Sequence, residues 1–360
     1  MEIRRPARKS VTISDVAQMA QVSRATAARA LGGYGVVSEP VRARVLEAAG
    51  RLDYRANALA RTMATGRSGT IGLIVGDIEN SFFSLAVRGI GDCAKEAGFD
   101  LLLANSAEDL AAEKAAVDVL LSKGVDGLIV APCQKSDRSH FDDVLARGKP
   151  LVLLDRDVPG LPVDVVAVDG DGAARMATEM LLASGHRRIA YVTTSLRPEG
   201  DDPADVVLTS VGDRIRGFLK ATREAEGSPA RAQIVYGVAK TEQAQAILRD
   251  VLTPSDRPTA ILASDSKIAL DVFRAAKHHG LKVPDDLSLA TFDDADWMSA
   301  LDPGVTVVAQ PTYELGYAAA DRLVARIGNS ALPPRRLMLE AKPILRASVR
   351  RPMPEDPRWP

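Results

Sequence analysis

Ten short apolar runs, separated by stretches that favour helices, constrain the fold of this 360-residue chain more than any other feature. Apolar residues continue through each run without alternation, which is typical of strands buried on both faces of a parallel sheet. Such strands alternating with helices predict doubly wound α/β units, whose ligands bind beyond the carboxyl ends of the strands. The runs are 71–75, 101–104, 127–130, 151–155 and 165–169, then 187–193, 232–236, 260–264, 287–294 and 305–310. Two sets of five strands predict two lobes with a cleft between them.

The segment from Thr12 to Leu31 has the pattern of two short amphipathic helices joined by one tight turn. Apolar residues recur at the i, i+3, i+4 and i+7 spacing in the first helix, and Thr12 with Asp15 can form its capping box. Ser23 is a favoured N-cap for the second helix. We therefore predict a helix-turn-helix that places the outward face of its second helix in a DNA major groove. The outward residues are Arg24, Ala25, Thr26 and Arg29.

A third helix is predicted from Ser38 through Leu52, and it completes a three-helix headpiece. Residues 57–64 are good helix formers, but so short a helix is unstable alone, and we expect it to form only when it is held. The predicted organisation is a disordered leader, the headpiece, a hinge helix with its linker, an α/β body and a proline-rich tail. These parts span residues 1–11, 12–56, 57–69, 70–350 and 351–360.

Charge is distributed unevenly along the chain. Residues 1–67 contain twelve lysines and arginines against five acidic residues, a net charge of plus seven, whereas the whole chain has a net charge of minus one. A basic head is attracted to DNA phosphates, while the acidic remainder is repelled by them. The charge pattern therefore indicates that the head binds DNA and that the body has a different task.

Cysteine usage and hydropathy indicate the compartment. Cys93 and Cys133 lie far apart and without metal-ligand spacing, which favours a reducing cytosol and no disulfide framework. No apolar run approaches the length of a membrane span, and an amphipathic helix, not an apolar signal segment, follows the basic start. We therefore expect a cytoplasmic protein that has no membrane partner, no metal and no cofactor.

Motifs spread over almost the entire chain resemble those of the lactose-repressor family of transcriptional regulators. They are TISDVAQMAQVS, VRARVLEAAGRLDYRANALAR, IGLIVGDIENSFF, VDGLIVAP, GHRRIAYV, GLKVPDDLSLATFDD and TVVAQPTYELG. The resemblance implies lobes like those of type I periplasmic binding proteins, a homodimer on a near-palindromic operator, and DNA affinity that responds to a small molecule. It also implies that the chain passes between the lobes three times. The implied bounds are about 70–169 and 311–336 for the first lobe, and about 170–310 and 337–350 for the second.

The resemblance also implies which residues contact DNA. Base-reading positions fall on Arg24, Ala25 and Arg29, although an ordinary solvated helix face is the alternative for Arg24. Met63 matches a leucine that enters the minor groove, and its alternative is packing against its own symmetry mate. The further expected DNA contacts are Thr12, Ser23, Thr26, Asn57 and Ala60. Because Ala25 replaces a polar residue that is common at its position, the operator sequence stays open.

The effector residues implied by the resemblance lie near the strand ends of the two lobes. They are Asp155, Asp169, Arg214, Asp265 and Asp293, with Phe82 or Phe83 near the mouth and Trp297 as a second stacking surface. Carboxylates and a guanidinium make paired, charge-assisted hydrogen bonds to neighbouring hydroxyls, which predicts a sugar, polyol or sugar acid. Helix capping or pairing with an arginine is the alternative for each acid, and core packing is the alternative for Trp297.

Two further regions carry predictions about the body. The loop 197–210 is longer than the resemblance implies, so it is either a flap over the cleft or a tolerated surface insertion. The first-lobe helices 82–96 and 111–122 are the expected dimer face. No leucine heptad follows them near the end of the sequence, so we do not expect a coiled-coil tetramer.

Two other functional classes fit the sequence less well. An enzyme has little support, because Gly89-Ile-Gly91 imitates a dinucleotide fingerprint only inside a predicted helix, and HExxH, phosphate-loop and nucleophile-elbow motifs are absent. A solute-binding protein without DNA regulation would explain the two lobes, but it would leave the basic headpiece unexplained. Whether the effector releases or promotes DNA binding is left open.

Overall fold

A computed structural model describes residues 11–32, 35–54, 66–200, 202–225, 230–238 and 241–352. The described chain divides into two compact units. The first contains the residues up to Thr70 together with Gly124–Asp126, and the second contains 71–123 and everything from Gly127 onward. The predicted hinge helix and nearly all of the predicted leader and tail lie outside the described residues.

The first unit contains three helices: α1, Ile13–Met19; α2, Arg24–Gly32; and α3, Glu39–Arg51. The predicted capping box is present, because Thr12 Oγ1 accepts from the Asp15 N–H at 3.4 Å and Asp15 Oδ2 accepts from the Thr12 N–H at 2.7 Å. A small cluster that includes Val16, Ala27 and Val45 forms the core. Ser38 precedes α3 as predicted, but its hydroxyl makes no capping hydrogen bond.

The second unit contains two six-stranded sheets, and all ten predicted strands are present. The first set is β1 (Thr70–Val75), β2 (Asp100–Asn105), β3 (Gly127–Val130), β4 (Leu151–Leu154) and β5 (Asp164–Val168). The second is β6 (Arg188–Val192), β7 (Arg231–Val235), β8 (Ala260–Ala263), β9 (Ser288–Phe292) and β10 (Thr306–Ala309). Two short strands follow, β11 (Arg336–Leu339) and β12 (Lys342–Ile344).

Helices connect these strands. In the first lobe they are α4 (Ser81–Glu96), α5 (Leu110–Ser122) and α6 (Ser139–Ala146). In the second they are α7 (Gly170–Ala183), α8 (Thr209–Arg223), α9 (Thr241–Leu252), α10 (Ser266–His278) and α11 (Asp296–Ala300). The last helix, α12 (Thr312–Gly328), returns to the first lobe, and none of the described helices has the length and apolar character needed to span a bilayer.

The two sheets repeat one topology. Their strand orders are β11-β5-β4-β3-β1-β2 and β12-β10-β9-β8-β6-β7, so each strand from β1 to β5 has an equivalent numbered five higher. The pairs within these sets are parallel, and the carboxyl ends of the strands therefore share one edge in each sheet. Loops that follow equivalent strands occupy equivalent places in the two lobes.

The sequence analysis missed β11 and β12, and their positions move the last boundary between the two lobes. β11 pairs with β5 in the first sheet, whereas β12 pairs with β10 in the second. The chain therefore makes its last crossing after Leu339 and not after residue 336. Residues 337–339 are a run of only three apolar residues, too short to mark a buried strand, and Leu337 and Met338 are substantially exposed in the structure.

Glycines let two pairs of helices approach closely, one pair in each lobe. A Cβ atom on Gly89 of α4 would lie 2.1 Å from the Tyr313 carbonyl oxygen of α12, and one on Gly316 would lie 2.0 Å from the Ala86 oxygen. In the second lobe, a Cβ on Gly217 of α8 would lie 2.1 Å from the Asp171 oxygen of α7. Gly89, the first glycine of the apparent dinucleotide fingerprint, thus serves helix packing.

Candidate DNA-reading surface and effector cleft

The recognition helix α2 is fixed at its start by its own side chains. Ser23 Oγ accepts from the Thr26 N–H at 3.0 Å, and the two hydroxyls are 2.9 Å apart. Ala27 and Ala30 are buried in the headpiece core, which fixes the rotation of the helix. The residues left exposed are Arg24, Ala25 and Arg29, with Thr26 half-buried; Thr12 and Ser23 are exposed at the two helix starts.

The exposed face of α2 is therefore suited to a DNA major groove, which is wide enough to admit an α-helix. Arg24 and Arg29 would bring two guanidinium groups to the bases, with the small apolar Ala25 on the same exposed surface. The predicted contacts Asn57, Ala60 and Met63 lie outside the described residues.

Asp126 fixes the main chain at 68–69, within the same unit as the headpiece. Both carboxylate oxygens of the buried Asp126 accept main-chain hydrogen bonds, from Ser68 at 2.9 Å and from Gly69 at 2.8 Å.

Asp155 and Asp293 follow the equivalent strands β4 and β9 at the carboxyl edges of the two lobes. Each has a left-handed backbone with a φ of 66°, and each is buried. The N–H of Asp155 donates to Val166 of β5 at 2.8 Å, and that of Asp293 donates to Val308 of β10 at 3.2 Å. The same local structure therefore places one carboxylate at the carboxyl edge of the sheet in each lobe.

A chain of hydrogen bonds connects Arg214 of α8 to Asp293 through Gln310. Arg214 Nη2 donates to Gln310 Oε1 at 3.1 Å, and Gln310 Nε2 donates to Asp293 Oδ1 at 2.6 Å. Arg214 Nη1 also donates to the Ser264 carbonyl oxygen at 3.0 Å, and its guanidinium lies 4.4 Å from the ring centre of Phe292. These contacts hold the planar guanidinium and the carboxylate in one fixed arrangement.

The electrostatics of Asp293 show which predicted residues come together. Burial raises the pKa of Asp293 to about 6; Arg214 and Gln310 act against this rise, while the charges of Asp265 and Asp155 add to it. Asp155, Arg214, Asp265 and Asp293 therefore form one electrostatically coupled cluster drawn from both lobes. A buried carboxyl group whose pKa is raised towards neutral pH is typical of functional sites.

Asp169 and Asp265 both cap helices, as their alternative interpretation has it. Asp169 is exposed, and its Oδ1 accepts from the Gly172 N–H at 3.0 Å. Asp265 Oδ1 accepts from the N–H groups of Lys267 at 2.9 Å and Ile268 at 3.0 Å. Asp265 still belongs to the charged cluster, whereas no contact within the described part of the chain connects Asp169 to it.

The aromatic residues have different surroundings. Phe82 and Phe83 are buried at the start of α4 with ring centres 5.2 Å apart. The guanidinium of Arg156 lies 5.5 Å from the Phe83 ring centre and makes two hydrogen bonds to Glu108, at 2.7 and 2.8 Å. Trp297 is half-buried against the second core cluster, which favours its core-packing alternative.

Sequence reasoning missed two residues of this site, Gln310 and Tyr191. Gln310 ends the quoted motif TVVAQ, and its place at the carboxyl end of β10 is the signal that identifies it. Tyr191 is the second-last residue of β6 and is fully buried; its hydroxyl has no hydrogen-bond partner among the described residues, and burial raises its pKa. Its neighbours include Arg214 and Asp265. In the described part of the chain, no group of His, Cys, Asp or Glu could hold a metal ion.

Comparison with known proteins covers both units. Residues 12–57 match the family described as bacterial regulatory proteins, lacI family, and residues 178–349 match a periplasmic binding protein-like domain. The ribose operon repressor of Haemophilus influenzae is 30% identical over 94% of this chain and 98% of its own length. Similarity over nearly the full length of both proteins covers the headpiece and the body together.

Solved structures show the same likeness. The lac repressor dimer bound to operator and the anti-inducer ONPF has a TM-score of 0.77 and 26% identity, covering 95% of this chain and 100% of that one. The complex of the transcriptional regulator CelR with cellobiose has a TM-score of 0.68 and 28% identity, covering 94% of this chain and 99% of that one. The proteins named in these comparisons are regulators of transcription.

Proposed function

The chain belongs to the lacI family of bacterial regulatory proteins, and we propose that it is a homodimeric repressor whose affinity for a near-palindromic operator is controlled by a small polyhydroxylated ligand. Regulation of transcription through DNA binding is the function of its family. A solute-binding protein without DNA regulation is not favoured, because the headpiece match covers residues 12–57.

The exposed face of α2 supports the DNA contacts. Arg24 and Arg29 are exposed, while capping by Ser23 and the buried Ala27 orient the helix that carries them. Arginine can donate two parallel hydrogen bonds to guanine, and the methyl of Ala25 suits a thymine methyl. We assign base reading to Arg24, Ala25 and Arg29, and phosphate contact to Thr12, Ser23 and Thr26.

The observation that carries the effector assignment is the Arg214–Gln310–Asp293 chain facing Asp155 from the other lobe. Fixed carboxylates accept from ligand hydroxyls and the guanidinium donates to their oxygens, so adjacent hydroxyls on one ring can satisfy both. CelR is seen with cellobiose, and the Haemophilus relative is named for the ribose operon, which supports a sugar or polyol. A sugar acid would pair its carboxylate with Arg214.

Exposed apolar residues of the first lobe support the dimer. Leu85 on α4 and Val119 on α5 are 47% and 54% exposed, and Leu102 and Leu103 on the edge strand β2 are 38% and 44% exposed. Apolar side chains gathered on one lobe mark a protein interface. Two protomers joined by these helices would present two recognition helices to the two halves of a palindrome.

Selection from random DNA tests the regulatory proposal. Purified protein is expected to enrich two inverted half-sites, and Arg24→Ala should weaken binding of the enriched DNA by about 1–3 kcal/mol in fluorescence anisotropy. Arg51→Ala is the matched control, since Arg51 is an exposed headpiece arginine paired with Glu47 on α3. Enrichment of single, unpaired sites would overturn the dimeric arrangement, and equal losses in both variants would overturn the assignment of α2.

A ligand screen tests the effector site on the same protein. Sugars, polyols and sugar acids that bind the cleft are expected to raise the melting temperature of the wild type and to change operator affinity. Arg214→Gln should abolish both effects while leaving operator binding without ligand in place. Ligands that act equally on wild type and Arg214→Gln would place the effector site elsewhere.

A further inference from the structure

The internal repeat relates the two mouths of the cleft. Strands β1 and β6 are equivalent, and so are β3 and β8. A lysine follows the third strand of each set, Lys135 after β3 and Lys267 after β8. Because the strands are parallel, these lysines and the loops after β1 and β6 all lie at carboxyl edges, where the lobes face each other.

Lys267 crosses to the first lobe at one mouth. Its Nζ donates to Asp77 Oδ2 at 2.9 Å and lies 3.6 Å from Glu79 Oε2, both on the loop after β1. The hydroxyls of Ser81 and Ser266 are 3.2 Å apart beside this contact. The hydrogen bond to Asp77 raises the pKa of Lys267, so the ammonium remains charged at neutral pH.

Lys135 crosses in the opposite direction at the other mouth. Its Nζ donates to the main-chain oxygen of Val206 at 2.7 Å and also to that of Ala204, both on the loop after β6. A second bridge lies beside it, where Thr209 Oγ1 accepts from the Asp157 N–H at 2.8 Å. The third-strand lysine of each lobe therefore contacts the first-strand loop of the other.

The long loop 197–210, apart from residue 201, is built into this contact. Its short 3₁₀ helix, Pro203–Asp205, begins with an Asp202 cap on the Ala204 N–H at 2.8 Å. Val206 is only 1% exposed and belongs to the main core cluster. The buried Val206 and the Lys135 contact therefore anchor the second half of this loop to both lobes, which a freely tolerated surface insertion would not require.

We propose that Lys135 and Lys267 are paired interlobe latches, positioning residues that hold the lobes together and set the rate at which the effector leaves. The part that concerns the effector rests on the function proposed above, whereas lobe closure itself does not. The two latches have different chemistry, because Lys267 contacts carboxylates and Lys135 contacts main-chain carbonyls. Screening by salt therefore weakens the Lys267 latch first.

Hydrogen exchange of the full-length, ligand-free protein tests the latches directly. Lys135→Met should speed amide exchange within 202–209 by about tenfold, since it leaves two carbonyls without their charged donor. Lys267→Met should act on residues 76–84 instead, by up to about fivefold, as expected of a half-exposed ion pair. The double variant should show a larger radius of gyration in solution scattering than either single variant.

Matched variants separate a latch from a general loss of packing. Lys114→Met is the control, because Lys114 donates to Asp137 at 2.6 Å and this ion pair lies entirely within the first lobe. Lys135→Arg and Lys267→Arg retain a cation and should keep exchange near that of the wild type. Unchanged exchange and scattering in the double variant, or equal effects in Lys114→Met, would overturn the latches whatever the effector proves to be.

Cellobiose and D-ribose serve as probes for the effector arm. For a probe that raises the melting temperature of the wild type, its dissociation in stopped flow should be roughly five to ten times faster in Lys135→Met, and near wild type in Lys135→Arg. Unchanged dissociation, despite faster amide exchange, would confine the latches to lobe closure and overturn their control of escape. If neither probe binds, the proposed ligand class fails for these sugars, while exchange and scattering still decide the latches.

Discussion

Asp293 and Gln310 are joined by a hydrogen bond of 2.6 Å, from Gln310 Nε2 to Asp293 Oδ1, at the carboxyl edge of the second sheet. The amide oxygen of the same glutamine faces Arg214. One uncharged side chain thus keeps the guanidinium and the carboxylate fixed without direct contact between them. Hydrogen-bonding capacity that a direct ion pair would consume is left for a ligand.

Asp293→Asn is expected to stabilise the ligand-free protein. Burial raises the pKa of Asp293 from 3.8 to about 6, so the folded state binds this proton more tightly than the unfolded state does. The contribution of Asp293 to the free energy of unfolding therefore falls by roughly 3 kcal/mol as pH rises from about 4 to about 6. Urea unfolding of wild type and Asp293→Asn should coincide near pH 4 and diverge above pH 6, with the variant more stable.

The control for this pH dependence is Asp118→Asn, which removes an exposed carboxylate of α5. It should not diverge from the wild type across the same range. A stability gain in Asp293→Asn that is the same at pH 4 and pH 7 would contradict a charge-based cause. We also expect Asp293→Asn to lose the ligand-dependent rise in melting temperature, because asparagine has a single acceptor oxygen and an NH2 group in place of the second carboxylate oxygen.

Gly89→Ala should destabilise the first lobe, by about 1–3 kcal/mol or more, because the new methyl would strike the backbone of α12. Gly91 lies two residues later in the same helix, and a Cβ there would meet only Leu101 Cδ2 at 4.0 Å. Gly91→Ala should therefore stabilise by about 0.5–1 kcal/mol through helix propensity. Urea unfolding at one fixed protein concentration compares the two, and a destabilisation of equal size in both would contradict the close-approach explanation.

Strand periodicity predicted the fold of the body well, because central strands such as β3, β4 and β8 are apolar runs that only a doubly covered sheet can bury. The edge strands β2 and β7 are partly exposed, but their apolar residues still marked them. The exposed residues of β11 and β12 give no such signal, and pairing with β5 and β10 alone defines them. Likewise, no local pattern could show that Lys135 contacts Val206, since 71 positions separate them. Contacts between distant residues appear only once the lobes are assembled.

The proposed effector site shows the same division between local and distant information. Asp155 and Asp293 could be found from sequence, because each ends an apolar run and the resemblance marks it. Gln310 and Tyr191 were missed, since a polar residue at a strand end and a tyrosine inside a strand are both common in cores. Only the three-dimensional structure shows that the Tyr191 side chain is fully buried beside Arg214.

Leu103→Asp should convert the proposed dimer to monomers, because it places a charge on the lobe that carries the exposed apolar side chains of β2, α4 and α5. Leu196→Asp is the control, since Leu196 is a 76% exposed leucine of the second lobe. Sedimentation velocity at micromolar concentration gives the two masses. Monomers in both variants, or dimers in both, would place the interface on another surface.

Asp126→Ala should release the chain that follows the predicted hinge helix. Its carboxylate accepts from the consecutive N–H groups of Ser68 and Gly69, and its own N–H donates to the Thr70 oxygen at 2.7 Å. Loss of the side chain removes two hydrogen bonds to half-buried main-chain N–H groups, at a cost of about 0.5–1.5 kcal/mol each. Amide exchange at 68–70 should therefore accelerate at least tenfold, with Asp126→Asn intermediate because its amide retains one acceptor oxygen.

The same variant tests whether the linker held by Asp126 carries the signal to the headpiece. If it does, the effector should change operator affinity less in Asp126→Ala than in wild type, although both proteins bind the effector equally. Faster exchange with an unchanged effector response would show that the Asp126 contact stabilises the first unit without taking part in regulation.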